Sequence, residues 1–410
     1  MDVLYITGAN LTKNTSANMS HNAFVQGLLD NGCNVQIIME SDSWGNKDSV
    51  LRCFGSIKYH EYQSLSFIER IKQRISYESS KDVNSNIFIN EDELSTKISI
   101  KNKIRNLLKK IFYYFKKDKL YPLDETWIKK ASRFKSDKKY DLIVSNSSPA
   151  ASHKLADLLI RNRKIKTNRW IQIWEDPWYY DLYGGHTLVE KEEEHFLLRQ
   201  ASEVYYVSPL TLMYQKKYFA DCADKMKCVT LPFFEYEEQG AEKPIQGSFG
   251  YFGDYYSVTR NLEPFYNALK ESEYKGFIYG DNDLCLRPTE NIEVSGRVTL
   301  DVLSEIQRQT EVLVHLSNLK GGQIPGKIYH YSATRKPILF ILDGTEDEKR
   351  ELFRFFSKFD RYYFCENNEE DIFSTMRKII NERKVFEPIK EFSPKEIVRK
   401  IIDEEEIVVH

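Results

Sequence analysis

The sequence predicts an α/β protein of two doubly wound parallel-sheet domains facing each other across an interdomain cleft. Three observations predict it. The chain has 410 residues, and one hydrophobic core rarely grows past about 250–300 residues, so two domains are expected. Short apolar runs rich in Val, Ile and aromatics alternate with stretches of helical periodicity, the pattern of a parallel sheet covered on both faces. The alternation pauses at a polar, mostly acidic stretch, residues 236–246, which carries Gly240 and Pro244, and then restarts.

In the first half the strand-like runs are residues 3–7, 34–39, 141–146, 169–174, 204–209 and 228–233. Each has the length of a buried strand. Helical spacing fills 18–30, 150–161 and 189–200. In the second half the strands are expected at 248–252, 276–279, 292–295, 312–316, 337–342 and 360–365. Helices are expected at 261–269, 300–308, 327–334, 347–356, 371–380 and 394–403. The domains are then 1–235 and 247–385, joined by the linker 236–246 and followed by a helical tail, 386–410. Residues 42–140 are charged and weakly periodic in their first half, and read as a helical insertion. Ligands of such sheets bind beyond the carboxyl ends of the strands, which places a pocket in the cleft.

Composition excludes several classes. Hydrophobic residues at 41% and charged residues at 29% exclude a disordered chain. With 59 basic and 61 acidic residues there is no basic excess, so no nucleic-acid partner is expected. Six cysteines are scattered without a C-x-x-C pair, and nothing near Cys222 and Cys228 completes a zinc site. That pattern suits a reducing compartment. The opening MDVLYITGAN has no basic leader before an apolar core, so no signal peptide is expected. No run of about 20 apolar residues is present to cross a bilayer. The expected location is the cytoplasm.

Several constellations point to chemistry. Gly8-Ala9-Asn10 turns the chain after the first strand; Asn10 or His21 then faces the cleft and touches a sugar, or the segment is an ordinary strand–helix turn. Ser147-Ser148-Pro149 starts a helix whose amides hold an anion or hydroxyl, or simply form a capped end. Glu175-Asp176-Pro177-Trp178 follows a strand directly, which puts two carboxylates and an aromatic face at the ligand edge. A carboxylate there orients or deprotonates a hydroxyl, and Trp178 suits a sugar ring; the plainer alternative is an Asp capping a helix.

In the second half, Gly253 with Arg260 and Asn261, and Gly326-Lys327 at the start of a helix, form a phosphate site in physical terms. His330 falls one turn on, beside a ribose or as a structural histidine. Asp281-Asn282-Asp283 invites a metal but reads as a turn. Residues 101–119 form a basic amphipathic pattern: eight Lys or Arg and one Asp give +7, and Ile104, Leu107, Leu108, Ile111, Phe112 and Phe115 share one stripe. Such a helix lies on an anionic membrane surface, or docks on the core with a solvated basic face.

Taken together these segments resemble the retaining glycosyltransferases of family 4, of the GT-B fold with two Rossmann-like domains. The family's R-D-P-W-like motif is matched by Glu175-Asp176-Pro177-Trp178, and its S-S-P segment by Ser147-Ser148-Pro149. Its P-x-K-[IL]-[FY]-E-Y signature is matched by Pro325-Gly326-Lys327-Ile328-Tyr329-His330-Tyr331. Two departures stand out. The family's E-x7-E glutamates are replaced by Gly322 and His330, and a basic residue usual after the second glycine is Asp254.

The resemblance implies transfer of a sugar from a nucleotide-diphosphate sugar to a glycan or lipid-linked oligosaccharide in bacterial capsular or surface polysaccharide synthesis. Asp176 and Glu175 would be catalytic. Gly253, Arg260, Asn261, Gly326, Lys327 and His330 would hold the donor, and Asn10, His21, Ser147 and Trp178 the acceptor. No metal or other cofactor is expected, because the cations and helix end do a metal's electrostatic work. A peripheral contact with the inner face of an anionic membrane through 101–119 is one reading. The alternatives are a sugar-nucleotide epimerase of the same architecture and a degenerate, non-catalytic binding or scaffold protein, which the missing glutamates favour.

Overall fold

The computed structural model describes residues 1–13, 15–41, 55, 57–64, 120–182, 186–233 and 244–403. The first sheet is built from β1 (Asp2–Ile6), β2 (Asn34–Ser41), β3 (Lys58–Gln63), β5 (Leu142–Ser147), β7 (Trp170–Trp174), β8 (Glu203–Tyr206) and β9 (Met226–Cys228). Between them β4 (Lys139–Tyr140) and β6 (Lys166–Thr167) form a small pair of their own. The sheet order is β3-β2-β1-β5-β7-β8-β9, parallel throughout. Its direction reverses between β1 and β5, so the ends of those two strands flank the switch-point crevice.

The second sheet uses β10 (Ile245–Phe252), β11 (Lys275–Tyr279), β12 (Ile292–Ser295), β13 (Thr310–Leu316), β14 (Ile338–Leu342) and β15 (Tyr362–Glu366). Its order is β12-β11-β10-β13-β14-β15, again parallel, with the switch point between β10 and β13. Strands such as VLYI and ILFIL are apolar on both faces because helices cover both faces.

The helices of the first half are α1 (Ser16–Asp30), α2 (Glu125–Ala131), α3 (Ala151–Arg161), α4 (Leu188–Gln200) and α5 (Pro209–Tyr218). Those of the second are α6 (Glu263–Lys270), α7 (Leu300–Gln309), α8 (Lys327–Ser332), α9 (Glu346–Phe356), α10 (Glu369–Glu382) and α11 (Pro394–Ile402). Helix α11 returns to the first sheet. Its Ile397, Val398 and Ile401 share a core with Phe24, Val25 and Leu28 of α1. Gly27 permits this approach, since a Cβ there would lie 2.2 Å from the Pro394 carbonyl oxygen.

Three expectations change. Residues 42–140 are not wholly an insertion: β3 pairs with β2, and α2 buries Trp127 and Ala131 in the core. The run 204–209 stops as a strand at Tyr206 because Ser208 caps α5 and Pro209 occupies its first turn. The run 228–233 is mostly irregular chain after the short strand β9. The basic pattern at 101–119 lies outside the described residues.

Candidate active site

On the first domain the site begins at the ends of β1 and β5. Gly8 lies against Pro149, where a Cβ would come within 2.6 Å of the ring, and its amide donates to Ser152 Oγ at 2.9 Å. The S-S-P turn is thus packed onto the first turn of the chain. Behind it runs a buried polar chain. Asn146 Nδ2 donates to the Tyr5 hydroxyl at 2.7 Å, and that hydroxyl lies 2.8 Å from His21 Nδ1. A hydroxyl that accepts from Asn146 gives its own proton to Nδ1, which leaves the N–H of His21 on Nε2. This Nε2 faces the Ser148 carbonyl at 3.4 Å and Glu175 Oε1 at 3.9 Å. Burial pushes His21 down to about 4, so the ring is neutral at pH 7.

Glu175 leaves β7 into this pocket. Its Oε1 is buried without a hydrogen bond among the described residues. Burial, and then the neighbouring Asp176, push its carboxyl well above the usual range. Asp176 points across the cleft: Oδ1 accepts from Gln323 Nε2 of the second domain at 2.5 Å. Burial also raises its proton affinity, against the pull of that amide.

The loop that carries Asp176 is fixed from behind. Glu194 of α4 is fully buried and accepts from the Tyr179 amide at 2.7 Å, the Trp178 amide at 3.4 Å and Gln215 Nε2 at 3.2 Å. With only neutral donors around it, burial pushes its carboxyl up to about 7.

On the second domain the ends of β10, β11 and β13 meet the start of α8. Lys327, the first residue of α8, makes no ion pair among the described residues. Burial pushes its ammonium down to about 8; Asp254 opposes that shift, and Arg260 and Arg297 add to it. Arg260 has its Nε buried without a hydrogen bond among the described residues. Arg297 is engaged differently: it forks onto Asp254, and its Nε lies 3.3 Å from Asp281. The acidic residue after Gly253 is thus paired with an arginine from a separate loop. His330 and His315 are both pushed down, to about 4 and about 3, by burial and then by the adjacent Lys327 and Arg260.

Several expected residues have other work. The Gly253 amide is spent on the Tyr279 carbonyl at 2.9 Å, so it offers nothing to a phosphate. Asn261 Oδ1 accepts the Glu263 amide and starts α6. Helix α8 has 6 residues, too short for its amino end to act as an anion site, and the phosphate reading rests on the side-chain cations. Asn10 is buried: it donates to the Glu40 carbonyl and accepts from Thr12, which holds its own loop. Trp178 packs on Tyr121 with ring centroids 5.1 Å apart. Ser147 Oγ is buried with no partner among the described residues, beside the cleft. Asp283 accepts from the Ser257 amide and hydroxyl, and Asn282 bridges to Tyr255, so 281–283 is a loop pinned to the segment after β10 rather than a simple turn. Among the described residues, the three-membered group suited to a metal is His195, Asp221 and Cys222, apart from the Asp176 and Lys327 groups.

Gly326 lies against Leu231 at the domain junction. Gly322 is pressed on the start of α5, where a Cβ would lie 2.8 Å from the Thr211 backbone. Its carbonyl accepts from Ser208 Oγ at 2.5 Å and Thr211 Oγ1 at 2.8 Å. A glutamate has no room there.

The chain, with its two parallel sheets, matches solved structures over nearly their whole length. A glycosyltransferase from Rickettsia africae aligns at TM-score 0.51 and 10% identity, covering 100% of this chain and 95% of its own. The E. coli trehalose-6-phosphate protein bound with UDP-2-fluoro glucose aligns at TM-score 0.51 and 12% identity, covering 98% and 97%. The chain has the GT-B fold. By sequence it matches no protein-family profile and no curated protein.

Within this GT-B frame, sequence reasoning missed Tyr5, Asn146, Glu194, Arg297 and Gln323. Tyr5 and Asn146 hide inside apolar strands. Glu194 sits in the acidic run of α4, where only tertiary packing distinguishes it from its exposed neighbours. Arg297 and Gln323 lie in loops without a motif. Gln323 was findable in one respect: it occupies the loop just before the P-G-K segment.

Proposed function

We propose that the protein is a glycosyltransferase that moves a sugar from a nucleotide-diphosphate sugar to a glycan or lipid-linked oligosaccharide acceptor, with retention at the anomeric carbon, in bacterial surface or capsular polysaccharide assembly. The observation that carries this reading is the juxtaposition across the cleft. Arg260 and Lys327, both without ion pairs among the described residues, converge on one domain. On the other, the desolvated carboxylate of Asp176 reaches over to the loop that leads into Lys327.

The chemistry follows from charge. Arg260 and Lys327 bind the diphosphate and stabilise the negative charge that grows on it as the glycosidic bond breaks. They supply what a divalent cation supplies elsewhere, so no metal is expected to be needed. Burial raises the proton affinity of Asp176, and its neutral amide partner only partly offsets this, which suits it to orient or deprotonate an acceptor hydroxyl. The neutral His21 presents its Nε2–H toward Glu175 and the Ser148 carbonyl, on the acceptor side. The E. coli neighbour with a bound UDP-sugar supports a nucleotide sugar as donor. A peripheral membrane contact through residues 101–119 belongs to the same reading; flotation with anionic vesicles at low salt tests it, and no binding removes it.

A thermal-shift screen of UDP, GDP and CDP and their sugars tests the function, because a ligand that binds only the folded state raises its melting temperature. A nucleoside diphosphate that stabilises the protein is expected; no shift with any of them overturns the reading. Product analysis with the donor alone then separates transfer from epimerisation, which needs no second substrate.

A further inference from the structure

We propose that Gln323 is the positioning residue of Asp176, and that it makes the presentation of this carboxylate conditional on the two domains being closed. The proposal rests on the reading of Asp176 as the carboxylate that faces the acceptor.

The side-chain amide of Gln323 is fully used, and every bond crosses the cleft. Nε2 gives one hydrogen to Asp176 Oδ1 at 2.5 Å and the other to Asp181 Oδ2 at 3.1 Å. Oε1 accepts from the Leu182 amide at 2.8 Å. This orientation is the one the partners permit: two carboxylates need donors and one backbone amide needs an acceptor. The backbone around it is held as well. Asn318 Nδ2 donates to the Gln323 carbonyl at 2.8 Å, and the Gly321 amide donates to Glu348 Oε1 at 3.0 Å. Tyr214 of the first domain donates to that same Glu348 oxygen at 2.9 Å. The strip is thus clasped by the first domain directly at Gly322 and Gln323 and through Glu348 at Gly321, and four residues after Gln323 the chain delivers Lys327.

Two consequences follow from the choice of glutamine. A cation in its place would hold Asp176 equally well but would quench its basicity. The neutral amide fixes one carboxylate oxygen and leaves the other a competent acceptor. The amide also keeps Asp176 and Asp181, which repel each other, on either side of a shared donor. Since Gln323 belongs to the second domain, opening of the cleft removes the partner of Asp176 and lets the pair spread. The carboxylate is then in its working geometry only when the cation-bearing domain is docked against it, which protects a bound donor from attack by water.

The test uses Q323M, which keeps the length of the side chain without its hydrogen bonds, and Q323A. Affinity for the nucleoside diphosphate found in the screen is expected to stay within about twofold, because Arg260 and Lys327 do not touch Gln323. Turnover in transfer from the corresponding nucleotide sugar is expected to fall by about tenfold or more. The acid limb of the pH–rate profile is expected to move to higher pH, since the lost amide favoured the charged form of Asp176, whose other titratable neighbours are Glu175 and Asp181. Small-angle scattering of both variants without ligand is expected to give a larger radius of gyration than the wild type. Wild-type turnover with an unmoved acid limb in Q323M overturns the proposal. If no nucleotide binds the wild type, the transferase reading falls instead, and scattering decides the clasp by itself: an unchanged radius of gyration in both variants refutes it.

Discussion

Replacing Lys327 with Met is expected to stabilise the fold while weakening nucleotide binding. Burial moves the Lys327 ammonium from its ordinary value of 10.5 to about 8, and Arg260 and Arg297 reinforce the shift. The folded protein therefore holds this proton less tightly than the unfolded chain. The cost is fully present below pH 8 and is relieved as the pH rises from about 8 to 10.5. Its ceiling is about 3 kcal/mol; with partial exposure of the side chain, about 1–3 kcal/mol is expected at pH 7. K327M removes the charge and keeps most of the apolar stem, so its melting temperature at pH 7 should rise by a few degrees. The same change deletes a charge-assisted contact to the diphosphate worth about 1.5–3 kcal/mol, or about 10- to 150-fold in affinity. Differential scanning calorimetry at pH 7 and pH 10 reads the first effect, with the stability gap closing at the higher pH. Titration calorimetry reads the second. A K327M protein that is less stable at pH 7 and binds nucleotide as tightly as the wild type would refute the reasoning.

The remaining expectations concern the opposite face of the cleft. D176N should abolish transfer and leave nucleoside diphosphate affinity unchanged, by turnover assay and calorimetry; retained transfer excludes the carboxylate. Glu194, raised from 4.5 to about 7 by burial, binds its proton more tightly in the folded state, so its contribution to stability falls as the pH rises from about 4.5 to 7. In urea unfolding, E194Q should therefore gain on the wild type by about 1–3 kcal/mol between pH 5 and pH 8, and a difference that does not vary with pH contradicts the buried charge. G322A should cost about 1–3 kcal/mol through overpacking against Thr211. Unchanged unfolding would mean that this joint is looser than described.

The architecture was largely legible because strand periodicity and helix punctuation are local signals. The run 292–295 is a strand with those bounds, and α9 starts at a Thr345–Glu348 capping box that the sequence displays. Local rules failed where tertiary pairing decides. The edge strand β3 is written as KYHEYQ, half-buried and polar, so only β2 reveals it as a strand. In the site, Asp176 meets Gln323 of the second domain, and Arg260 lies near enough to Lys327 to depress its proton affinity; the roles given to these three residues belong to the proposal. Residues assigned through backbone amides or small polar groups fared differently: Gly253 is bonded to β11, Asn10 to β2 and its own loop, and Asn261 to the start of α6. Partner residues such as Glu194 carry no sequence signal, and Gln323 only its place before the P-G-K segment, since a buried hydrogen bond depends on what the fold brings opposite. Gly322, where the family has a glutamate, is packed against Thr211 at the domain joint and leaves no room for a larger side chain.

The central claim is that Arg260 and Lys327 grip a diphosphate opposite Asp176. Crystals grown with the best nucleoside diphosphate from the screen test it most directly. The account predicts phosphate oxygens within hydrogen-bond distance of both side chains, at the ends of β10 and β13. Nucleotide bound elsewhere would contradict it, for example against Arg308, Arg335 and Arg383 at the amino edge of the second sheet, with Arg260 and Lys327 left untouched.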